Sequence, residues 1–346
     1  MRHKLRVGFI GAGDFSYKHF QALNIIKGFQ LVAVCDQNLS KATRFAEYAG
    51  DPSVQVYDSH HDLLKTELDA VLVCTPPSAT PFIAEDCLTR GLHTLIEKPI
   101  ALDLSTADKL LATYESARVN KQGLVAMVNF VYRGEPGFIE MSRLIRAGVI
   151  GMPQHYLFEK NNEVIVSRKD ESRIVNNYFV HNVGPNFMAG IHYLFFLSMI
   201  YDPLPVQRIA GHGIKFKKNY QVCNSDRNWL LLRDGSTAEI GVTWASVGTL
   251  PHYYDFALAA GRSGTLYYNR EAHKLVVDTH RKRYFPRLRG LPRLACMWSI
   301  FRDSIMGEEV SYFPDLYVAR QILAIALQMN SAINCNGGAC ALAKSA

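Results

Sequence analysis

The first third of the chain alternates two hydrophobic periods. Leu5 to Ile10, Leu31 to Cys35, Ala70 to Cys74 and Thr94 to Ile96 are short, continuous apolar runs. Continuous rather than alternating apolarity marks strands buried on both faces. Between the runs lie helix-length amphipathic segments, Phe15 to Ile26, Ser40 to Tyr48, Thr80 to Arg90 and Leu104 to Arg118. Strands that alternate with helices predict βαβ units and a doubly wound parallel sheet. Leu124 to Phe130 reads as a sixth strand.

Beyond residue 124 the pattern changes. Phe138 to Arg146 reads as a helix stopped at Gly148, and Gln154 to Phe158 as a strand. Asn186 to Ile200 is apolar nearly all round, which predicts a deeply buried helix. Asn228 to Arg233 and Ser236 to Trp244 flank Asp234-Gly235, a strong hairpin signal, and Tyr253 to Ala260 and Gly264 to Tyr268 flank a second turn. A last helix spans about Asp315 to Ala332. The second part is therefore expected to be α+β with a largely antiparallel open sheet. With no Pro/Ser-rich linker, the expected division is a compact crossover between domains 1–124 and 125–346.

Composition agrees with two globular domains: 346 residues, 48% hydrophobic and 20% charged, is too apolar for disorder. The net charge of +7 is spread out, except for a denser stretch holding Arg281, Lys282, Arg283, Arg287, Arg289 and Arg293, read as a solvated loop. No nucleic-acid-binding signature accompanies it. The seven cysteines form no CxxC pair and their number is odd, so a reduced, cytoplasmic setting is expected. Neither a signal-peptide core nor a membrane span is expected. The longest apolar stretch, Phe187 to Tyr201, falls short of the ~20 residues a bilayer requires and is broken by His192.

The first strand runs into Gly11-Ala12-Gly13-Asp14-Phe15-Ser16, a G-x-G-x-x-G pattern with serine in the third glycine position. The first glycine permits a tight turn. The second lets the backbone approach a pyrophosphate, which then lies at the positive end of the next helix. Asp36 follows twenty positions after Ser16, at the end of the second strand, where a carboxylate binds the adenosine ribose. That carboxylate accepts from a 2′-hydroxyl and repels a 2′-phosphate, so NAD is expected over NADP.

The fifth strand ends in Glu97-Lys98-Pro99. Here the sequence resembles the Gfo/Idh/MocA family of glucose–fructose oxidoreductase and inositol dehydrogenase. The motifs that carry the resemblance are the glycine turn, Asp36, Thr75-Pro76-Pro77, Gly91-Leu92-His93 leading into Glu97-Lys98-Pro99, Asn129 with Arg133, the Gly148 to Gly151 turn and Gly190-Ile191-His192. It implies an N-terminal Rossmann domain and a C-terminal domain carrying the substrate site and an oligomer interface, hence a homo-oligomer, dimer or tetramer. It also implies a cofactor-binding set of Gly11, Gly13, Asp14, Phe15, Asp36, Thr75, Pro76, Glu97, Lys98 and Asn129.

Lys98 is the leading catalytic candidate. A lysine at the carboxyl end of a parallel strand sits where doubly wound sheets bind ligands, and its nitrogen can bond and protonate a substrate oxygen. His192 is the second candidate. The family pattern has an aspartate four residues before that histidine and often another three after it, whereas this chain has Met188 and Phe195. At α-helical spacing, positions 188, 192 and 195 share one face, so an apolar core histidine is the competing reading. Tyr193 points about 100° away on a helix. Glu97 is read as structural or next to the nicotinamide. His60 and His61 are read as capping a helix, and Tyr132 and Arg133 as within reach of substrate. No metal site is read. The expected function is NAD-dependent hydride transfer at a secondary alcohol or ketone of a sugar, cyclitol or sugar derivative. The alternative is a dinucleotide-binding regulator of the same fold that has lost proton transfer.

Overall fold

A computed structural model describes residues 4–162, 183–215, 222–244, 253–333 and 343–344. Cys335 and Cys340 lie outside the described residues. These fall into two compact units, one of residues 1–134 with 290–323, the other of residues 135–289 with 324–346.

The first unit holds a six-stranded sheet in the order β3-β2-β1-β4-β5-β6. Its strands are β1 (Leu5–Ile10), β2 (Phe29–Cys35), β3 (Gln55–Tyr57), β4 (Ala70–Val73), β5 (His93–Ile96) and β6 (Ala126–Val128). Every pairing is parallel; Ile10, for example, lies opposite both Cys35 and Val73. The connecting helices are α1 (Asp14–Ile25), α2 (Leu39–Ala49), α3 (His60–Leu63), α4 (Thr80–Thr89) and α5 (Leu104–Asn120). β4 and β5 are buried at every position, as continuous apolar runs require. Local chemistry sets the helix ends. Asp103 caps α5 by accepting from Thr106 N at 2.8 Å.

The sequence reading places residues 290–323 in the second domain, yet they return to the first unit. The returning segment forms a helix over Arg293–Ile305 that buries Ala295, Met297, Trp298, Ile300 and Phe301. Trp298 stacks on Phe9 of β1 at 5.8 Å and meets Phe29 of β2 edge-on at 5.1 Å. Arg133 donates to the carbonyls of Ser311 and Tyr312 and thereby ties down the same segment. Arg133 and Tyr132 are both buried, so Arg133 is not a solvent-exposed basic residue. His60 and His61 also differ from expectation, because they form the first turn of α3 itself. His60 Nε2 lies 2.9 Å from Asp86 Oδ2 of α4, and among the described residues these two histidines and Asp86 bring three donor atoms within 4.8 Å of one another.

The second unit is built on nine strands in the order β14-β13-β12-β11-β7-β10-β9-β8-β15. They are β7 (Pro153–Asn162), β8 (Val206–Ile214), β9 (Ser225–Leu232), β10 (Thr237–Thr243), β11 (Tyr253–Gly261), β12 (Gly264–Asn269), β13 (Lys274–Thr279), β14 (Arg283–Tyr284) and β15 (Ala343–Lys344). β7 and β10 pair in parallel; the other pairings are antiparallel. The Asp234-Gly235 turn forms as expected. Gly235 takes φ +84°, and Asp234 Oδ1 accepts from Ser236 N and Ser236 Oγ. One face of this sheet is covered by α6 (Pro136–Arg146) and α7 (Ile191–Ser198). Phe138 of α6 packs edge-on to Tyr268 at 5.4 Å, and Tyr193 of α7 stacks on Phe158 at 4.8 Å. Among the described residues, no helix is long and apolar enough to cross a membrane.

Candidate active site

The carboxyl ends of β1, β2, β4, β5 and β6 carry most of the site residues proposed from sequence, and the strand order reverses between β1 and β4. In doubly wound sheets that crevice is where a ligand binds. Gly11 takes φ +98°, and a Cβ there would come within 2.1 Å of the Cys74 carbonyl oxygen, so only glycine fits. Gly13 differs. It precedes α1 with an ordinary φ of −79°, and a Cβ would meet nothing within 4 Å. The open space over Gly13, at the N-terminus of a twelve-residue helix, accommodates a pyrophosphate in contact with backbone. Ser16 is buried, and its hydroxyl donates to the Gly11 carbonyl at 2.7 Å, so serine closes the loop in place of the third glycine.

Asp36 is partly buried beside this loop. Its Oδ2 accepts from Ala12 N and its Oδ1 from Asn38 N, both at 2.9 Å. Each oxygen keeps a lone pair for a ribose hydroxyl. Asp14 is exposed and Phe15 partly buried in the first turn of α1. Thr75 and Pro76 lie after β4, where the Pro76 carbonyl accepts from Ala79 N and Thr80 N at the start of α4. The loop, the helix terminus and the braced carboxylate fit a dinucleotide.

After β5, Glu97 is buried and Lys98 partly buried, and the Lys98–Pro99 bond is cis. Glu97 Oε1 lies 2.8 Å from His19 Nε2 and accepts from Asn129 Nδ2. Trp298 Nε1 donates to His19 Nδ1 at 3.1 Å. Asn129, proposed as a cofactor ligand, thus gives one N–H of its amide to Glu97. Sequence reasoning missed His19 and Trp298. A histidine within an amphipathic helix, and a tryptophan 279 positions away, carry no local mark of partnership.

His192 lies in the second unit, in α7, buried among Ile191, Tyr193, Leu194 and Phe195. A π-helical turn, Asn186–Gly190, precedes α7. The four-residue α-helical spacing that would align position 188 with 192 therefore does not run through it. Tyr193 is committed elsewhere: its hydroxyl donates to Asp255 Oδ1 at 2.7 Å, while Lys160 and Arg270 donate to the other oxygen of that buried acid. Asp226 of β9 is also buried, and burial pushes its carboxyl up to about 8. Neither acid stood out in the sequence.

Residues 5–130 match the oxidoreductase family described as GFO_IDH_MocA, NAD-binding Rossmann fold. The UDP-N-acetylglucosamine 3-dehydrogenase of Acidithiobacillus ferrooxidans is 26% identical over 239 residues, 69% of this chain and 67% of that protein. The NAD(+)-dependent scyllo-inositol 2-dehydrogenase of Bacillus subtilis is 29% identical over 157 residues, 45% of this chain and 44% of that one, so the match spans less than half its length. In fold, an oxidoreductase from Agrobacterium radiobacter, solved with NAD+, L-tartaric acid and magnesium, superposes with a TM-score of 0.80 at 17% identity, over 99% of this chain and 98% of that one. The glycine loop, Asp36 and the Glu-Lys-Pro strand end thus stand in a domain, residues 5–130, that matches the NAD-binding Rossmann domain of the Gfo/Idh/MocA oxidoreductases.

Proposed function

We propose that the protein transfers hydride between NAD and a secondary alcohol or ketone of a sugar, cyclitol or sugar derivative, with Lys98 as proton carrier. The observation that supports this most is Lys98 itself, partly buried at the end of β5, directly after a glutamate held by two buried side chains. The nicotinamide, when bound, supplies the hydride acceptor or donor. The chain's part is binding, orientation and the proton. Gly11, Gly13 and Asp36 receive the dinucleotide. Lys98 Nζ, as an amine, takes the hydroxyl proton in the oxidising direction; as an ammonium it returns that proton to the alkoxide in the reducing direction. His192 is the proposed second proton donor, and Met188 and Phe195 leave it without the helix carboxylates of the family pattern.

Relatives that act on a nucleotide sugar and on an inositol support the substrate class. We assign the protein to the cytoplasm, in keeping with its free cysteines 35, 74, 87, 223 and 296, and to a homo-oligomer. The test is a panel of sugars, cyclitols and nucleotide-sugars, each followed by the absorbance of reduced nicotinamide. Turnover of one compound class is the expected result. Tight cofactor binding without turnover across the panel would instead favour a dinucleotide-binding regulator.

A further inference from the structure

This inference rests on the oxidoreductase reading of Lys98 and deepens it. We propose that His19, held in one tautomer by Trp298, is a positioning residue that sets Lys98 through the carboxylate of Glu97.

His19, Trp298, Glu97 and Asn129 lie in one unit and are buried. An indole N–H can only donate, so with Trp298 Nε1 at 3.1 Å, His19 Nδ1 is the bare acceptor nitrogen. The proton of the neutral ring then sits on Nε2, aimed at Glu97 Oε1 at 2.8 Å. Asn129 Nδ2 donates to the same oxygen, and its 3.3 Å approach to His19 Nε2 is that of two donors converging on one acceptor. One donor comes from the middle of α1 and the other from the residue after β6, so Glu97 is gripped from two elements.

The grip reaches Lys98 through covalent geometry. One trans peptide, ~3.8 Å from Cα to Cα, joins Glu97 to Lys98, so a backbone shift at Glu97 that follows its side chain moves the root of the lysine as well. The Glu97 backbone is itself fixed, with N donating to the Val73 carbonyl at 2.9 Å, and Pro99 is buried on the other side. Unlike apolar packing, hydrogen bonds fix a direction, and here they fix the orientation of the residue next to the proton carrier.

The test reads the lysine directly. Reductive methylation with a 13C label gives Lys98 an NMR resonance, identified by its absence in Lys98→Met. In folded His19→Leu, that resonance is displaced, dinucleotide Kd stays within ~3-fold of wild type, and kcat per folded molecule drops ~10- to 100-fold, the scale of a misplaced reacting group. His19→Gln, which restores an N–H near the place of Nε2, recovers most of both. Trp298→Phe keeps the aromatic packing but releases the tautomer, and falls between. An unmoved Lys98 resonance with unchanged kcat in His19→Leu overturns the proposal. If that variant does not fold, a wild-type resonance and kcat in Trp298→Phe overturn it as well. Should wild type turn over no polyol or keto-sugar, the oxidoreductase reading falls, while the resonance still decides the positioning role.

Discussion

At Lys98, exchanging the ε-amine for a thioether isolates the proton from the packing. Lys98→Met keeps the stem and removes the nitrogen. It is expected to bind NAD as wild type does and to lose ~10²–10⁴ in turnover, the usual cost of one general acid–base. Fluorescence titration and steady-state rates check the two halves, and near-wild-type turnover would take the proton from Lys98. Asp36 is a second place where one atom group decides. With each oxygen already holding a backbone N–H, its carboxylate is held in place, and the proposed role has it accept from a 2′-hydroxyl and repel a 2′-phosphate. Asp36→Ala should weaken NAD by ~10- to 100-fold, as loss of hydrogen bonds to a charged group does, and narrow the gap to NADP. Tighter NADP than NAD binding in the wild type would remove Asp36 from that role. Both positions were legible in sequence as strand ends, Asp36 by its distance from the glycine turn and Lys98 by the Glu-Lys-Pro element that holds it. His19 and Trp298 were not, because their meaning is a pairing over 279 positions.

Strand β5 joins β6 partly through a side chain. His93 Nδ1 accepts from Val125 N at 3.1 Å, which requires a bare nitrogen. Burial first, then the nearby Lys121 ammonium, depress His93 from 6.5 to about 4, with Asp69 acting the other way. In the unfolded chain the imidazole takes its proton near 6.5. As pH falls, the unfolded state therefore binds the proton first. The stabilisation is complete above 6.5, declines below it and is gone near 4. The whole shift corresponds to about 3 kcal/mol. His93→Asn keeps an acceptor and removes the titration, so its stability should fall less than that of wild type between pH 7 and 4. Parallel urea midpoints for the two proteins would sink the assignment. At this scale the strands of the first unit were readable because burial on both faces leaves a continuous apolar run. The helix over Arg293–Ile305 was not readable. It follows directly on the basic stretch that reads as a solvated loop, and its buried face carries Trp298 and Phe301 against strands almost 300 positions earlier.

For the whole molecule, the domain division near residue 124 reflects a change of hydrophobic period. Such a change cannot show that residues 290–323 come back to the first unit. The proposed homo-oligomer would use the second unit's sheet. Its helix-covered face buries Tyr156, Phe158, Ala257, Ala259 and Tyr268, and by strand alternation the opposite face carries Leu157, Leu231, Phe256, Leu258 and Tyr267, only partly covered. Trp229 stands on that opposite face, 42% exposed, beside Arg227, which pairs with Glu159 at 2.5 Å and also with Glu239. An apolar face rimmed by ion pairs calls for a partner, and a second copy meeting the same surface closes a symmetric dimer without exposing new apolar area. Sedimentation velocity at micromolar concentration should show a dimer or tetramer. Trp229→Asp places a charge in the middle of the face and should shift the protein toward monomer while leaving its melting temperature at high dilution near that of wild type. A wild type that sediments as monomer at tens of micromolar would rule the interface out. A Trp229→Asp variant that stays fully assembled would move the interface to another surface.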